Sequence, residues 1–370
     1  MMEIPVNRPW IGPTEEGFVL DALRSGWVTT GPYCDRLEEE FARWVGRKYA
    51  VACSSGTAAL WLALKAFGVT GDVLTQAYAC DAVANATINA TGSAPIVVDV
   101  DKETWGLAAN GTEAELLDDR RRIQAVILVH SYGVPARDTE RIVELCKQRG
   151  IPLIEDASES HGAILGGAKV GTFGTAAVFS LRGEKNLSGG QLGIVLTDDR
   201  DLAALVHQYA HNGLPSDAVR YWSSVAGMNF QPSNLNAALA CAQLSRAEAL
   251  VAAKVRVHEG WRHAFRDTPY VEFQAPHGSP SWWLTAIIID ESVGMLPQDL
   301  ALALLERGIA TRPGFYPLSW LPHCRQRPGS LPIPVSERLL RQVLVLPSGY
   351  DVSMDDQERV ATAIKEIVGQ

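Results

Sequence analysis

A lysine beside a glycine-rich turn is the residue of this sequence with the clearest chemical potential. Lys185 stands in FSLRGEKNLSGGQLGIVLT, residues 179–197, between a short apolar run and a turn of small residues. A long cation is costly to bury at the end of an apolar strand. Its amine can form a Schiff base with an aldehyde, so Lys185 is either a solvated loop residue or the covalent anchor of a cofactor.

Small polar residues in SSGTAALWLAL form a candidate phosphate site. Ser54, Ser55, Gly56 and Thr57 lie between an apolar run and a helical pattern. A helix N-terminus offers unpaired N–H groups and a positive dipole end, and glycine lets the backbone approach a ligand closely. An ordinary helix cap is the alternative. Neither G-x-G-x-x-G nor a Walker motif occurs, which argues against a dinucleotide site or a Walker-type site.

A carboxylate at the end of another apolar run completes a chemical set. Asp156 closes IPLIEDA, residues 151–157, and a buried carboxylate needs a partner. It either caps the next helix or pairs with a cationic ring nitrogen, as the acid does that tunes pyridoxal 5'-phosphate (PLP). The phosphate turn, Asp156 and Lys185 together indicate PLP. Near a cationic ring the lysine could also move protons.

The elements that must position these residues alternate between strands and helices. Helical patterns at 56–67, 81–91, 138–149 and 200–210 lie between several short apolar runs. This alternation predicts an α/β domain with a mostly parallel, seven-stranded sheet between helices. The predicted strands are 48–54, 72–77, 94–100, 124–130, 151–157, 175–181 and 193–197.

Polar side chains follow four of these strands. Ligands of open α/β sheets bind beyond the carboxyl ends of the strands. The sequence places Ser54–Thr57, His130–Gly133 and Glu155–Gly162 there, and Ser180 followed by Lys185 after the sixth strand. We therefore expect one site at one edge of the sheet.

The pattern changes after about residue 240. Residues 233–265 predict one long helix or two in series, with Ser233 as the N-cap. A smaller C-terminal α/β domain is expected to follow. The predicted division is a large PLP-binding domain at 1–240, which includes the N-terminal segment, and a small domain at 241–370. The elements predicted near the C-terminus are a strand at 282–290, helices at 297–308 and 352–368, and a surface loop at 327–336.

Composition narrows the class of protein. The 370 residues are 47% hydrophobic, and the formal net charge is −9 without a basic tract, which argues against a nucleic-acid partner. Six scattered cysteines without a CxxC pair predict buried thiols rather than disulfides. We see neither a signal peptide nor an apolar run of roughly 20 residues, so we expect a cytoplasmic protein without a membrane partner. No metal site is expected.

At this point the motifs resemble a known family. The chain is similar to the DegT/DnrJ/StrS-type sugar aminotransferases, which are PLP enzymes of fold type I in the aspartate aminotransferase superfamily. The motifs follow the family's order and spacing over nearly the whole chain. They are SGWVTTGPYCDRLEEEFARWVG, SSGTAALWLAL, VHSYG, EDASESHGA, VFSLRGEKN and GMNFQPSNLNAALACAQL.

The resemblance implies a role for each matching position. Lys185 would form the Schiff base, Asp156 would pair with the pyridinium nitrogen, and Glu159 would lie near the phenolic oxygen of the cofactor. Asn229 would reach the phosphate of the neighbouring subunit, which implies a homodimer with active sites at the interface. His161 could be structural or catalytic. The residues expected to hold the phosphate are Ser55, Gly56, Thr57 and Ser180.

The chain also departs from the family pattern. Where most members stack an aromatic on the ring it has Cys80, so either Tyr78 or Cys80 covers the ring. The usual Gly-Glu-Gly-Gly is GQLG at 190–193, which makes Gln191 and Leu192 unusual. Gln231 replaces a common arginine, and Thr175 replaces an aspartate. The PLP set is intact, so we expect these positions to affect sugar specificity first.

The implied reaction is transfer of an amino group from L-glutamate to a keto-sugar. A nucleotide-linked 4-keto-6-deoxy sugar is favoured, in amino-sugar, antibiotic or polysaccharide biosynthesis. The cofactor would alternate between PLP and pyridoxamine phosphate in ping-pong kinetics. Arg312 and Tyr316 are candidates from the small domain. One alternative is a PLP-dependent sugar dehydratase or deoxygenase, although such relatives usually carry histidine at the lysine position. The other is a non-catalytic regulatory relative.

Overall fold

The computed structural model describes residues 4–215, 219, 221–324 and 329–369. The first part of the chain alternates helices and strands as predicted. Its elements are α1 (Pro13–Arg24), α2 (Pro32–Val45), β1 (Tyr49–Cys53), α3 (Gly56–Ala66), β2 (Asp72–Gln76), α4 (Asp81–Thr91), β3 (Ile96–Val98), α5 (Ala109–Leu117), β4 (Ile123–Val129), α6 (Thr139–Arg149), β5 (Leu153–Asp156), β6 (Ile164–Leu165), β7 (Ala168–Lys169), β8 (Ala176–Ser180), β9 (Gly193–Thr197) and α7 (Arg200–Ala210).

Seven of these strands form one twisted sheet in the order β1-β9-β8-β5-β4-β2-β3. The pairs β2–β3, β2–β4, β4–β5 and β5–β8 are parallel. Strand β9 runs antiparallel to both neighbours, β1 and β8. The mostly parallel seven-stranded sheet is therefore confirmed, and β9 begins at the edge where the other strands end.

Both faces of this sheet are covered, which explains why apolar residues occupy successive positions in its strands rather than alternate ones. In β1, Val51 and Cys53 contact the core shared with α3, α4 and α7. Ala50 and Ala52 point the other way, into the core shared with α2 and α8 (Asn234–Leu244). Helices α5 and α6 cover the same sheet near β4.

The remainder of the chain builds a second, antiparallel sheet in the order β10-β11-β13-β12. One face packs on α9, α10 and α12 around Trp261 and Leu304. The elements after α8 are α9 (Ala247–Ala264), β10 (Val271–Phe273), β11 (Ala286–Ile289), α10 (Pro297–Glu306), β12 (Arg312–Pro313), α11 (Pro334–Gln342), β13 (Val343–Val345) and α12 (Met354–Val368).

The helical segment after residue 233 consists of two helices in series. Ser233 occupies the N-cap position of α8, but its hydroxyl donates to the Val28 carbonyl at 3.1 Å instead of capping the helix. Helix α9 starts in the core of the large sheet at Leu250 and continues into the second core at Trp261. The division into 1–240 and 241–370 stays a prediction, with its boundary inside α8.

Two local predictions are right only in part. The strand expected at 282–290 shortens to β11 because the backbone of Trp282 takes a left-handed conformation, with φ of 46°. The loop expected at 327–336 is found at 329–333 and ends where α11 begins, since Pro334 can begin a helix and the buried Ser336 donates its hydroxyl to Asp99. Residues 327 and 328 lie outside the described residues.

The structure also bears on membrane spans, metal clusters and disulfides. Within the described ranges, no helix combines the length and apolarity that crossing a membrane requires. No group of three or more histidine, cysteine, aspartate or glutamate side chains is arranged for a metal in that part of the chain. All six cysteines carry free thiols.

Candidate active site

A cavity of about 400 Å³ opens at the carboxyl ends of β1, β5 and β8. The parallel strands deliver their terminal residues to this edge, as the sequence predicts. The predicted site residues that line it are Ser55, Gly56, Thr57, Cys80, Asp156, Glu159, Ser180 and Lys185.

Lys185 lies inside this cavity and is buried. Its Nζ is 3.4 Å from Oε1 of Glu159 and 3.3 Å from the centre of the Trp283 indole ring. A carboxylate and an aromatic face both stabilise an ammonium group that has left water. The alternative of a solvated loop lysine does not describe this geometry.

The backbone on both sides of Lys185 is fixed by hydrogen bonds from distant segments. The Glu184 carbonyl accepts from the indole N–H of Trp283 at 2.7 Å and from the side-chain amide of Asn7. The Asn186 carbonyl accepts from the hydroxyl of Tyr350 at 2.6 Å. These contacts hold the lysine in place while its side chain stays free to reach into the cavity.

Two buried carboxyls face the same space. The Asp156 carboxylate accepts from the backbone N–H of Ser158 at 3.0 Å, and a turn rather than a helix follows it, so the helix-cap alternative is wrong. Burial raises the pKa of the Asp156 carboxyl, and Lys185 opposes that shift. Burial likewise raises the pKa of Glu159, which accepts from the Tyr132 N–H at 2.8 Å. A cationic group in the cavity would supply Asp156 with the partner it needs.

The turn between β1 and α3 is built for close approach. A Cβ on Gly56 would lie 2.7 Å from Cβ of Ser180, and one on Gly193 would lie 2.1 Å from the Ser55 carbonyl oxygen. Only glycine fits at both positions. The Ser55 hydroxyl accepts from the Ala58 N–H at 3.1 Å, so Ser55 is a helix cap, as the alternative interpretation of this turn predicted. It also lies at the edge of the cavity. The N-terminus of α3 and Ser180 thus fit a phosphate.

Of the two residues considered for covering the ring, Cys80 lies at the cavity and Tyr78 does not. Tyr78 is fully buried, with its hydroxyl 3.3 Å from that of Tyr132. Cys80 precedes α4 and lines the cavity, and burial raises the pKa of its thiol to about 12. Trp283 and Phe315 supply the aromatic lining. Sequence reasoning missed both, although the WW pair at 282–283 was a visible signal.

The two histidines of the predicted motifs, His130 and His161, contact the protein interior and do not line the cavity. The His130 ring pairs with Glu155 at 3.1 Å, and Glu155 accepts from backbone N–H groups of the 171–174 turn. His161 is buried against Phe179, 5.3 Å between ring centres, and does not line the cavity. Burial, with a smaller contribution from Lys185, lowers the pKa of His161 to about 3.

The unusual GQLG turn reaches the cavity because β9 is antiparallel. Gln191 is exposed at the opening, while Leu192 is buried and also contacts the core below. Ser54 and Gln231 do not line the cavity, and Thr175 lies at the opposite edge of the sheet, before β8.

Of the residues expected from other parts of the chain, one lines the cavity. Arg312 does so, and its guanidinium pairs with Glu184. Tyr316 is exposed and does not line the cavity. Asn229 is exposed as well, pairs with His211 through an isolated β-bridge, and lies outside the cavity of its own chain.

Comparison with known proteins gives the same picture over the whole length. The chain matches the model of the DegT/DnrJ/EryC1/StrS aminotransferase family over residues 10–365. GDP-perosamine synthase of Vibrio cholerae is 31% identical over 366 residues, 98% of each chain. The aminotransferase TlmJ from Streptoalloteichus hindustanus is 27% identical, with a TM-score of 0.89 over 99% of both chains. DesI, solved in the presence of its TDP-sugar product, is 28% identical, with a TM-score of 0.90 over 100% of this chain and 94% of that one. The predicted fold class, fold type I, is confirmed.

Proposed function

Because this chain belongs to the DegT/DnrJ/EryC1/StrS aminotransferase family, we propose that it transfers an amino group from L-glutamate to a nucleotide-linked 4-keto-6-deoxy sugar. The chain is a PLP-dependent aminotransferase. The substrates and the individual roles of its residues are our proposal. A GDP-perosamine synthase and a protein with a TDP-sugar product among the similar proteins support a sugar nucleotide as the acceptor. The observation that carries the proposal is the burial of Lys185 beside Glu159 in the cavity that also holds Asp156 and the α3 N-terminus.

The residues of the cavity fit PLP at each end. PLP, when bound, supplies an electron sink for the carbon from which the transferred nitrogen departs. Asp156 holds the pyridine nitrogen protonated, since a buried carboxylate favours a neighbouring cation. The N–H groups at the start of α3, with the hydroxyls of Ser55, Thr57 and Ser180, bind the phosphate.

Lys185 would hold the cofactor through its amine and, once the donor amine has displaced it, would move the proton of the transfer. The free Nζ would take a proton from the donor carbon that bears the nitrogen and would deliver it to the cofactor, which keeps the nitrogen. The Glu159 carboxylate, 3.4 Å from Nζ of Lys185, orients that amine. Trp283 and Phe315 exclude water from the reacting atoms, which strengthens these charge interactions.

The active enzyme is a homodimer in this proposal. Asn229 lies on an exposed segment beside large apolar side chains, and Val219, Trp222 and Met228 are 80%, 70% and 47% exposed. Apolar side chains clustered at a surface mark an interface. A second copy that covers them would place Asn229 at the phosphate of its neighbour.

The test is a panel of keto-sugar nucleotides incubated with L-glutamate and read by mass spectrometry. We expect one sugar to gain nitrogen in place of its keto oxygen. Lys185→Ala should lower this turnover by about a hundredfold to ten-thousandfold, since it removes the proton carrier. Full activity of Lys185→Ala would contradict the mechanism, and loss of a hydroxyl without gain of nitrogen would show a dehydratase instead.

A further inference from the structure

Three charged side chains meet at the opening of the cavity. The Glu184 carboxylate lies 2.8 Å from the Arg312 guanidinium and 3.8 Å from that of Arg182. Arg182 follows β8 of the large sheet, whereas Arg312 begins β12 of the small one. All three side chains line the cavity that holds Lys185.

This cluster contains two guanidinium groups and one carboxylate. Burial alone would raise the pKa of Glu184, but Arg312, with further contributions from Lys185 and Arg182, brings it below its usual value. The carboxylate is therefore ionised near neutral pH. One anion does not neutralise two guanidinium groups, and the Arg182 contact lacks hydrogen-bond distance. A guanidinium fork matches the two oxygens of a carboxylate or phosphate.

The Glu184 side chain can leave without disturbing the lysine beside it. Its backbone carbonyl is held by Trp283 and Asn7, so the position of Lys185 does not depend on the Glu184 carboxylate. The side chains of Arg182 and Arg312 are 67% and 46% exposed, so an anion from solvent can reach both. A partly exposed ion pair contributes little free energy, so exchange of one anion for another is inexpensive.

We propose that Arg182 and Arg312 form an oxyanion subsite for the substrate, and that Glu184 occupies this subsite until the substrate displaces it. This inference rests on the proposed function. The ligand is an oxyanion that offers two oxygens to a guanidinium. It comes from one of two sources, the carboxylate of the amino donor or the diphosphate of the sugar nucleotide.

Glu184 thereby becomes a determinant of specificity. A substrate must carry an anionic group able to replace it, so neutral amines and free sugars gain no binding energy at the opening. Removing the Glu184 charge should tighten binding of the anionic substrate, whereas removing the Arg312 charge should weaken it. A residue that merely stabilised the fold would not produce these opposite effects.

Calorimetric titration of the PLP-loaded enzyme tests this directly. Glutarate, an unreactive dicarboxylate, stands for the donor, and GDP and dTDP stand for the sugar nucleotide. In one of these arms we expect Glu184→Gln to tighten binding about twofold to fivefold, because it removes a competing exposed ion pair. In the same arm Arg312→Gln should weaken binding about tenfold, because it removes a charge-assisted hydrogen bond. The arm that responds identifies the source of the oxyanion.

A matched control removes an equivalent ion pair elsewhere. Glu366→Gln breaks the pair with Arg307, 2.6 Å apart on the outer surface, and should leave both arms unchanged. Arg182→Gln is a second test of the subsite should Arg312→Gln fold poorly, and it should weaken the same arm. Binding that is unchanged in Glu184→Gln and in the arginine variants, or weakened in Glu184→Gln, would overturn the subsite. These titrations need no turnover, so they can succeed even where the keto-sugar panel fails, and the two failures are distinguishable.

Discussion

At the scale of single residues, the cavity depends on side chains whose neighbours determine what they can do. Lys185 is useful because Glu159 and Trp283 hold its ammonium group out of water. Gly56 is useful because it has no side chain. Because Gly56 has no Cβ, the turn before α3 can approach Ser180 closely. The shape of the cavity therefore depends on a glycine at this position.

A methyl group at position 56 tests this close approach. Gly56→Ala would place Cβ 2.7 Å from Cβ of Ser180, so we expect a destabilisation of about 1–3 kcal/mol from overpacking. Gly56→Ala combined with Ser180→Gly should recover most of that loss, because the clash partner is gone. The measurement is urea unfolding of the apoprotein. Equal stability of the single and double variants would contradict the contact.

His161 supplies a prediction about pH. Burial lowers its pKa to about 3 in the folded chain, whereas the unfolded chain has the ordinary value near 6.5. Between these values the unfolded state binds more protons, so stability falls as the pH drops below about 6.5. At pH 5 the loss from this residue is about 2 kcal/mol relative to pH 7.5.

His161→Phe should remove that part of the acid sensitivity. Urea unfolding at pH 7.5 and pH 5 measures the difference for the variant and the natural chain. His263→Phe makes the same substitution at an exposed position of α9 and serves as the matched control. An unchanged difference in His161→Phe would show that the ring takes up its proton in the folded state.

At the scale of elements, the direction of one strand decides what reaches the cavity. Because β9 is antiparallel, its first residues meet the last residues of β8 and β1. The GQLG turn at 190–193 therefore adjoins the site, with Gln191 at the opening and Leu192 anchored in the core. The sequence showed that this turn was unusual, but not that its leucine faces inward.

Leu192 should accordingly matter for folding. Leu192→Ala removes a buried side chain from the core below the cavity, and we expect a loss of about 2–5 kcal/mol in the free energy of unfolding. Gln191→Ala, the exposed neighbour, should change that free energy by less than about 0.5 kcal/mol. Urea denaturation of both variants decides the matter. Equal effects at the two positions would contradict the inward orientation of Leu192.

At the scale of the whole molecule, the sequence predicts best the elements that leave a local pattern of apolar residues. The seven strands of the large sheet were found from apolar runs, because burial on both faces leaves a continuous signal at each strand. Helix α2 was missed, although Leu37, Phe41 and Val45 follow a four-residue spacing. Trp283 was missed for a different reason. Its role depends on a contact with Lys185, which follows a strand of the other sheet, and the WW pair alone does not show that contact.

The sequence could place in the cavity those residues that end parallel strands. Asp156 and Ser180 end strands, and topology brings such positions together. Glu184 could not be assigned from the sequence, since its partner Arg312 lies 128 positions away. The contact between Glu184 and Arg312 can be seen only in the folded structure, where the two sheets lie side by side.

In our proposal, Lys185 is the residue that binds PLP. Borohydride reduction of the yellow holoenzyme, followed by peptide mapping with mass spectrometry, tests it most directly. We expect a pyridoxyl group on the peptide that contains Lys185, and none there after Lys185→Ala. A pyridoxyl group on another lysine, such as the buried Lys254 on α9, or protein that takes up no PLP, would show that Lys185 does not bind the cofactor.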